Sequence, residues 1–177
     1  MDFNLGNAVK VDTDSVLDIL QDPNFIEEDN YSIPGVTPVE PAGAIGEKTN
    51  IPAGIRVDSQ GKQVDITMKS SLERLNQELG KNNIGWAVTE AYPPSRQHKA
   101  PCHQTGTCID ANFRSTDASP ENVKKFLQSA STAGLRAVYE VQSESERTRF
   151  VNAGVPAESI VNLGSWITAP HFSVYSN

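Results

Sequence analysis

The sequence lacks long apolar runs and any excess of positive charge, and it contains only two cysteines and three histidines among 177 residues. No apolar stretch approaches the about 20 residues of a membrane-spanning helix, so we expect no membrane span. Residues 1–62 carry 11 acidic and 4 basic side chains, whereas residues 63–177 carry 11 of each. Because domains that bind nucleic acid present a basic surface, we expect no nucleic-acid partner.

The N-terminal part, residues 1–53, predicts an extended acidic arm or linker. It has few apolar residues, and prolines stand at positions 23, 34, 38, 41 and 52. Such a composition buries too little apolar surface to fold alone, although Thr13 can cap one short helix that ends near Leu20. Alternatively, the arm is held against the rest of the chain or against neighbouring copies in an assembly. The residues after Met1 lack the basic and apolar regions of a secretory signal, so no export signal is visible.

Residues 54–177 predict a single α+β domain. Alternating segments indicate strands and segments with helical spacing indicate helices. The pattern predicts a small central antiparallel sheet flanked by helices. The predicted strands are 54–58 and 63–67, paired as a hairpin, and 84–92, 107–113, 135–141 and 169–175; the predicted helices are 67–79, 120–133 and 144–152, with an irregular return over 155–167.

Two candidate metal ligands lie close together in the middle of this domain. In the predicted strand 107–113, Asp110 shares a face with Cys108 and Asn112 because strand side chains alternate. Gly106 permits a tight bend that folds His103 back beside Asp110. An imidazole and a carboxylate aimed at one point supply two of the three protein ligands of a catalytic zinc site.

The last predicted strand supplies a third candidate ligand. His171 shares one face with Ser173 and Tyr175, while Phe172 and Val174 occupy the other. If this strand pairs with the strand that carries Asp110, His171 completes a His/Asp/His set with an open fourth position. Such a zinc ion would activate a bound water as a nucleophile.

The segment His103-Gln-Thr-Gly106-Thr-Cys-Ile-Asp110, followed much later by Pro170-His171-Phe-Ser-Val, resembles the zinc D-alanyl-D-alanine carboxypeptidase and hedgehog-type family. That family has a His-x-x-Gly-x-x-x-Asp segment and a C-terminal strand that brings the second histidine. The resemblance covers roughly residues 64–175. It implies a zinc-dependent hydrolase of the D,D- or L,D-carboxypeptidase or endopeptidase type, acting on peptidoglycan peptides.

The chain departs from that family around the proposed ligands. The family places a carboxylate, the general base, three residues before the last histidine, and here this position holds Thr168. Glu140 and Glu90 are the candidate substitutes. Glu140 is favoured because its strand is expected to neighbour the last one; alternatively, it is an exposed strand residue in an ion pair.

A second departure concerns substrate binding. The family has an arginine after the early strand to hold the substrate carboxylate, and here Arg96 is the nearest cation. Arg96, His98 and Lys99 make this loop cationic, which suits an anionic peptide terminus. Alternatively, the loop is an ordinary solvated surface loop.

The two cysteines, Cys102 and Cys108, flank His103. A disulfide between them would stiffen the loop that carries the histidine and would indicate an oxidising compartment. Free buried thiols and ligation of zinc by cysteine are the alternatives. With the resemblance, the disulfide predicts an extracytoplasmic location at the cell envelope, the cell surface or a virion.

Three interpretations remain open at this point. The first is a zinc peptidase of the cell wall with an unusual base. The second is a degenerate peptidase-like domain that serves as a structural or wall-binding subunit of an extracellular assembly, such as a surface filament, pilus or phage tail. The third is a metal-free domain in which His103 and His171 satisfy core hydrogen bonds.

Overall fold

The computed structural model describes residues 46–95 and 100–176. Within these residues the chain forms seven strands and four α-helices. The strands are β1 (Lys48–Asn50), β2 (Gln63–Asp65), β3 (Trp86–Glu90), β4 (Cys108–Phe113), β5 (Leu135–Val141), β6 (Ile160–Asn162) and β7 (His171–Ser176). The helices are α1 (Ile66–Lys81), α2 (Pro101–Thr105), α3 (Pro120–Thr132) and α4 (Glu144–Asn152), with 3₁₀ turns at Ala157–Ser159 and Gly164–Trp166. Over the same ranges, none of the helices is both long and apolar enough to cross a bilayer.

The main sheet has five strands in the order β3-β4-β7-β5-β6, which confirms the α+β class. Its strand pairs are antiparallel except for β5 and β6, which are parallel, so the sheet is mixed. The expectation of a purely antiparallel sheet is wrong at this edge. Sequence reasoning missed β6 because three residues are too few to show an alternation, and it read the segment as irregular. A parallel neighbour needs a crossover, and α4 provides it.

The small sheet pairs β1 with β2, which corrects the predicted hairpin between residues 54–58 and 63–67. Lys48 lies opposite Asp65, and Asn50 lies opposite Gln63. Residues 54–58 lie along β3 instead, where the Asp58 backbone N–H donates to the carbonyl of Val88 at 2.8 Å. Residues 54–58 therefore lie along the edge of β3, although their alternation alone predicted a hairpin with residues 63–67. Of the predicted arm, residues 1–45 lie outside the described residues, as does its predicted helix.

An aromatic cluster fills the core between the main sheet and its helices. Phe172 of β7 stacks on Phe126 of α3 with ring centroids 3.8 Å apart, and Phe113 of β4 meets both rings edge to face. Met68 and Leu72 of α1 are also fully buried. Burying aromatic and aliphatic side chains on this scale is the main source of stability for the sheet.

The alternation of β4 and β7 gives the main sheet a polar face opposite this core. The apolar residues Ile109, Ala111, Phe172 and Val174 of these strands are fully buried. Their neighbours along the strands therefore lie on the opposite face, as predicted. This polar face is where the candidate ligands meet.

Candidate metal centre

A short helix and a tight turn position His103 above the strand that carries Asp110. Pro101 occupies the first turn of α2, and Gly106 ends the helix in the left-handed conformation at φ 71°. The N–H groups of Gly106 and Thr107 both donate to the carbonyl of Cys102, which reverses the chain. His103 is only 4 % exposed as a result, and its Nε2 lies 3.4 Å from Oδ1 of Asp110.

The small sheet holds this turn in place through a backbone hydrogen bond. The backbone N–H of Asp65 donates to the carbonyl of Gly106 at 2.8 Å. The carboxylate of Asp65 caps α1 through Thr67 and lies 3.3 Å from Nζ of Lys48. The end of α2 is therefore tied to β1, β2 and α1 at once. No pattern in the sequence indicated this support.

The register of β7 brings His171 to the same point. Asp110 of β4 lies opposite Ser173, and Glu140 of β5 lies opposite His171. Residues directly opposite each other in antiparallel strands point to the same face. His171 Nε2 consequently lies 3.8 Å from Oδ2 of Asp110 and 3.2 Å from Oε2 of Glu140. The predicted pairing of the last strand with the Asp110 strand is thus observed.

The hydrogen bond of the other ring nitrogen orients His171. Its Nδ1 lies 2.9 Å from the carbonyl oxygen of Ala169, which can only accept, so the proton is on Nδ1. A neutral ring then aims the lone pair of Nε2 at the carboxylates of Asp110 and Glu140. That arrangement is unfavourable unless a cation or a proton stands between them. Ligating histidines commonly donate their other N–H to a carbonyl in this way.

In the metal-free protein, a proton on Nε2 of His171 takes the place of a cation between the ring and the two carboxylates. Burial alone would lower the pKa of His171, but the hydrogen bond to Glu140, the charge of Asp110 and the hydrogen bond to Ala169 together raise it to about 9. The imidazolium is therefore the form present at neutral pH. A divalent cation that binds here must displace this proton.

Two distances between the candidate donor atoms can be compared with those of a zinc site. Nitrogen and oxygen ligands about 2.0 to 2.1 Å from a tetrahedral zinc lie about 3.3 Å from one another. The carboxylate oxygens of Asp110 lie 3.4 Å from Nε2 of His103 and 3.8 Å from Nε2 of His171. Each histidine therefore lies near a carboxylate oxygen of Asp110, although His103 faces Oδ1 and His171 faces Oδ2.

Ser173 links the two carboxylates of this face. Its Oγ lies 3.2 Å from Oδ1 of Asp110 and 2.9 Å from Oε1 of Glu140. A hydroxyl carries one proton, so it can donate to only one of them at a time. Sequence reasoning gave Ser173 no role, although it stands two residues after His171 on the same strand face. That spacing was the available signal.

Of the two candidate bases, Glu140 is the one beside His171. Its side chain is buried, and Oε2 faces the imidazole while Oε1 accepts from Ser173. Glu90 lies across from Asp110 on β3, but its two oxygens accept from the N–H and the hydroxyl of Ser95 at 2.7 and 2.6 Å. Glu90 therefore fastens the loop that follows β3. Thr168, at the position where the family has its base, is exposed.

The two cysteines form a disulfide with a Cα–Cα distance of 5.2 Å, which joins α2 to the first residue of β4. The potential ligand atoms of Cys102, His103 and Cys108 lie within 4.8 Å of one another, which is a spacing that could hold a metal. The disulfide leaves neither sulfur available as a thiolate, so this group cannot bind a metal in the oxidised protein. The predicted substrate-binding residue Arg96 lies outside the described residues.

No protein-family model matches this chain, and a comparison with curated proteins finds no match.

Proposed function

We propose that the domain is a zinc-dependent peptidase-like hydrolase that acts on cell-wall peptides, with His103, Asp110 and His171 as metal ligands and Glu140 as the general base. The observation that carries the proposal is that two imidazoles, the buried carboxylate of Glu140 and the partly exposed carboxylate of Asp110 lie close together. Two carboxylates this close to one imidazole favour a cation between them.

The bound zinc would act as a Lewis acid that polarises the peptide carbonyl and activates the attacking water. Glu140 accepts the proton of that water as its oxygen bonds to the carbonyl carbon. The same carboxyl then gives the proton to the amine nitrogen as the C–N bond breaks. Ser173 would orient Glu140 when its hydroxyl donates to Oε1, which leaves Oε2 facing His171.

The substrate class comes from the resemblance. The His-x-x-Gly-x-x-x-Asp spacing and the late histidine suggest a D,D- or L,D-peptide bond of peptidoglycan. Arg96 is the proposed partner of a substrate carboxylate, since arginine binds carboxylates through paired hydrogen bonds. An extracytoplasmic location suits both the substrate and the disulfide.

The test combines a metal analysis with a digest of purified peptidoglycan. We expect one zinc per chain and release of D-alanine or of uncross-linked peptides. His103→Ala and His171→Ala should lose both zinc and activity. Zinc-free protein from a zinc-supplemented preparation would overturn the proposal.

A second candidate function is a degenerate peptidase-like domain that keeps zinc for stability within an extracellular assembly. The observation in its favour is that both oxygens of Glu140 already have protein partners, Ser173 and His171. Full zinc content with no turnover on any wall preparation, together with a large loss of thermal stability on chelation, would support it. Contacts between neighbouring copies through residues 1–53 would be expected in that case.

A further inference from the structure

We propose that reduction of the Cys102–Cys108 disulfide creates a second metal site, formed by the two thiolates and His103, for a thiophilic cation such as Zn²⁺, Cd²⁺ or Cu⁺. The three side chains are already gathered, since their potential ligand atoms lie within 4.8 Å of one another. The disulfide bond is what prevents them from binding a metal.

The surrounding fold holds the three residues in place independently of the disulfide. Cys102 and His103 are neighbours in α2, whose C-terminal end is fixed by the hydrogen bond from Asp65 to Gly106. Cys108 begins β4, where it lies opposite Tyr175 of β7. When the disulfide breaks, α2 therefore remains hydrogen-bonded to β2, and Cys108 remains paired with β7. Sulfur ligands of a tetrahedral zinc lie about 3.8 Å apart, so the sulfurs need only side-chain rotation to admit an ion.

The group formed by Cys102, His103 and Cys108 is largely buried, so a metal bound there would be shielded from solvent. Cys108 is fully buried and His103 is 4 % exposed, while Cys102 is partly exposed. Cys102 is therefore the residue of the pair that a reductant would attack. Thiolate and imidazole ligands select Zn²⁺ and Cu⁺ over hard cations such as Mg²⁺ or Ca²⁺.

The chemistry requires a two-electron reductant. A dithiol transfers two electrons and two protons to the cysteine sulfurs, so that its two S–H bonds are replaced by one S–S bond while the protein disulfide becomes two thiols. A phosphine gives the same two thiols, with one water supplying the protons and the oxygen of the phosphine oxide. Each thiol then releases its proton to solvent as its sulfur binds the cation. No other co-reactant is consumed.

His103 belongs to both metal sets, and this gives the site a regulatory consequence. In the oxidised protein its Nε2 faces Asp110 at 3.4 Å. A cation bound by the two thiolates would also take His103 as a ligand. It would therefore weaken the binding of zinc by His103, Asp110 and His171. This consequence rests on the proposed function, whereas the thiolate site itself does not.

Cobalt(II) alone is a suitable probe, because thiolate ligation produces an intense near-ultraviolet charge-transfer band that nitrogen and oxygen ligands do not produce. We expect the full chain to show this band after reduction with a phosphine, saturating at one cobalt per chain, and to lack it when oxidised. Cys102→Ser should lose most of the band. His103→Gln should retain a band but bind cobalt at least about tenfold more weakly, since one ligand is gone.

His171→Ala is the matched control, because it removes a ligand of the proposed zinc centre and leaves the thiolate site complete. Its reduced form should show the band unchanged. A reduced, folded chain without the band would overturn the inference, as would cobalt affinity that does not respond to His103→Gln. Loss of near-ultraviolet circular dichroism from the aromatic core on reduction would overturn it too. Zinc analysis of the oxidised protein tests the proposed function separately, so the two failures are distinguishable.

Discussion

Glu140 and His171 lie directly opposite each other on β5 and β7, with Oε2 of the carboxylate 3.2 Å from Nε2 of the imidazole. Asp110 approaches the same nitrogen from the other side at 3.8 Å. The ring therefore stands between two carboxylates contributed by its two neighbouring strands. Asp110 also lies 3.4 Å from His103, which is why we assign Asp110 as the ligand and Glu140 as the base.

We expect Glu140→Gln to keep zinc and to lose turnover by about 10²- to 10⁴-fold, the contribution typical of a general base. The amide preserves the shape of the side chain but cannot accept a proton from water. Peptidoglycan digestion and metal content, measured on the same preparations, check this. Glu90→Gln is the control, since that carboxylate lies on the same sheet face but is bonded to Ser95. Equal activity of Glu140→Gln and wild type would remove Glu140 from the mechanism.

The raised pKa of His171 predicts a pH-dependent stability in the metal-free protein. The folded state holds the proton up to pH about 9, whereas the unfolded chain loses it near 6.5. This contribution is therefore fully present below pH 6.5 and is lost as the pH rises through about 9. Its slope is at most about 1.4 kcal/mol per pH unit. Urea unfolding of wild type and His171→Gln, both treated with a chelator, measures the free energy of unfolding as a function of pH. The difference between the two proteins is the contribution of His171, and a difference that does not change with pH would contradict the prediction.

Local patterns in the sequence were sufficient to predict most of the secondary structure and the pairing that forms the centre. The β5 bounds agree with the prediction at both ends, and α3 begins at Pro120 after its Ser119 cap, as expected. His171 could be placed because Phe172 and Val174 form a clear apolar stripe that fixes which face the histidine occupies. Apolar periodicity thus determines both the core and, by alternation, the polar face opposite it.

What could not be predicted depends on contacts between distant segments. The carbonyl of Ala169 that orients His171 has no sequence signal, because every residue has a carbonyl. The choice of Lys48–Asn50 as the partner of β2 was missed because two local alternations looked like a hairpin. The choice between Glu140 and Glu90 needed the hydrogen bonds of Ser95, which appear only in three dimensions.

Ser173→Ala should lower turnover while leaving the KM nearly unchanged, because the hydroxyl orients Glu140 and does not contact the substrate. Removing it also leaves the buried carboxylate of Glu140 without this donor, at a cost of about 1 to 3 kcal/mol. Ser173→Thr keeps the hydroxyl and suits a strand, so it should restore most of the activity. Steady-state kinetics and chemical unfolding of the two variants check this. If threonine rescues no better than alanine, the hydroxyl has no orienting role.

The last prediction concerns Gly106, whose left-handed backbone at φ 71° turns the chain from α2 into β4. A Cβ there would stand 3.1 Å from the backbone nitrogen of Asp65, which donates to the Gly106 carbonyl. Gly106→Ala should therefore cost about 1 to 2 kcal/mol for the conformation alone and should also displace His103 from Asp110.

Gly154 provides the matched control for this substitution. It has a similar φ of 85°, but a Cβ added there meets nothing within 4 Å. Gly154→Ala should thus lose a similar free energy of unfolding, since the conformational penalty is the same, and should bind zinc like wild type. Gly106→Ala should bind zinc at least about tenfold more weakly, because the ligand is held by the displaced turn. Competition with a zinc-binding dye measures both affinities, and equal affinities would mean that the turn does not position His103.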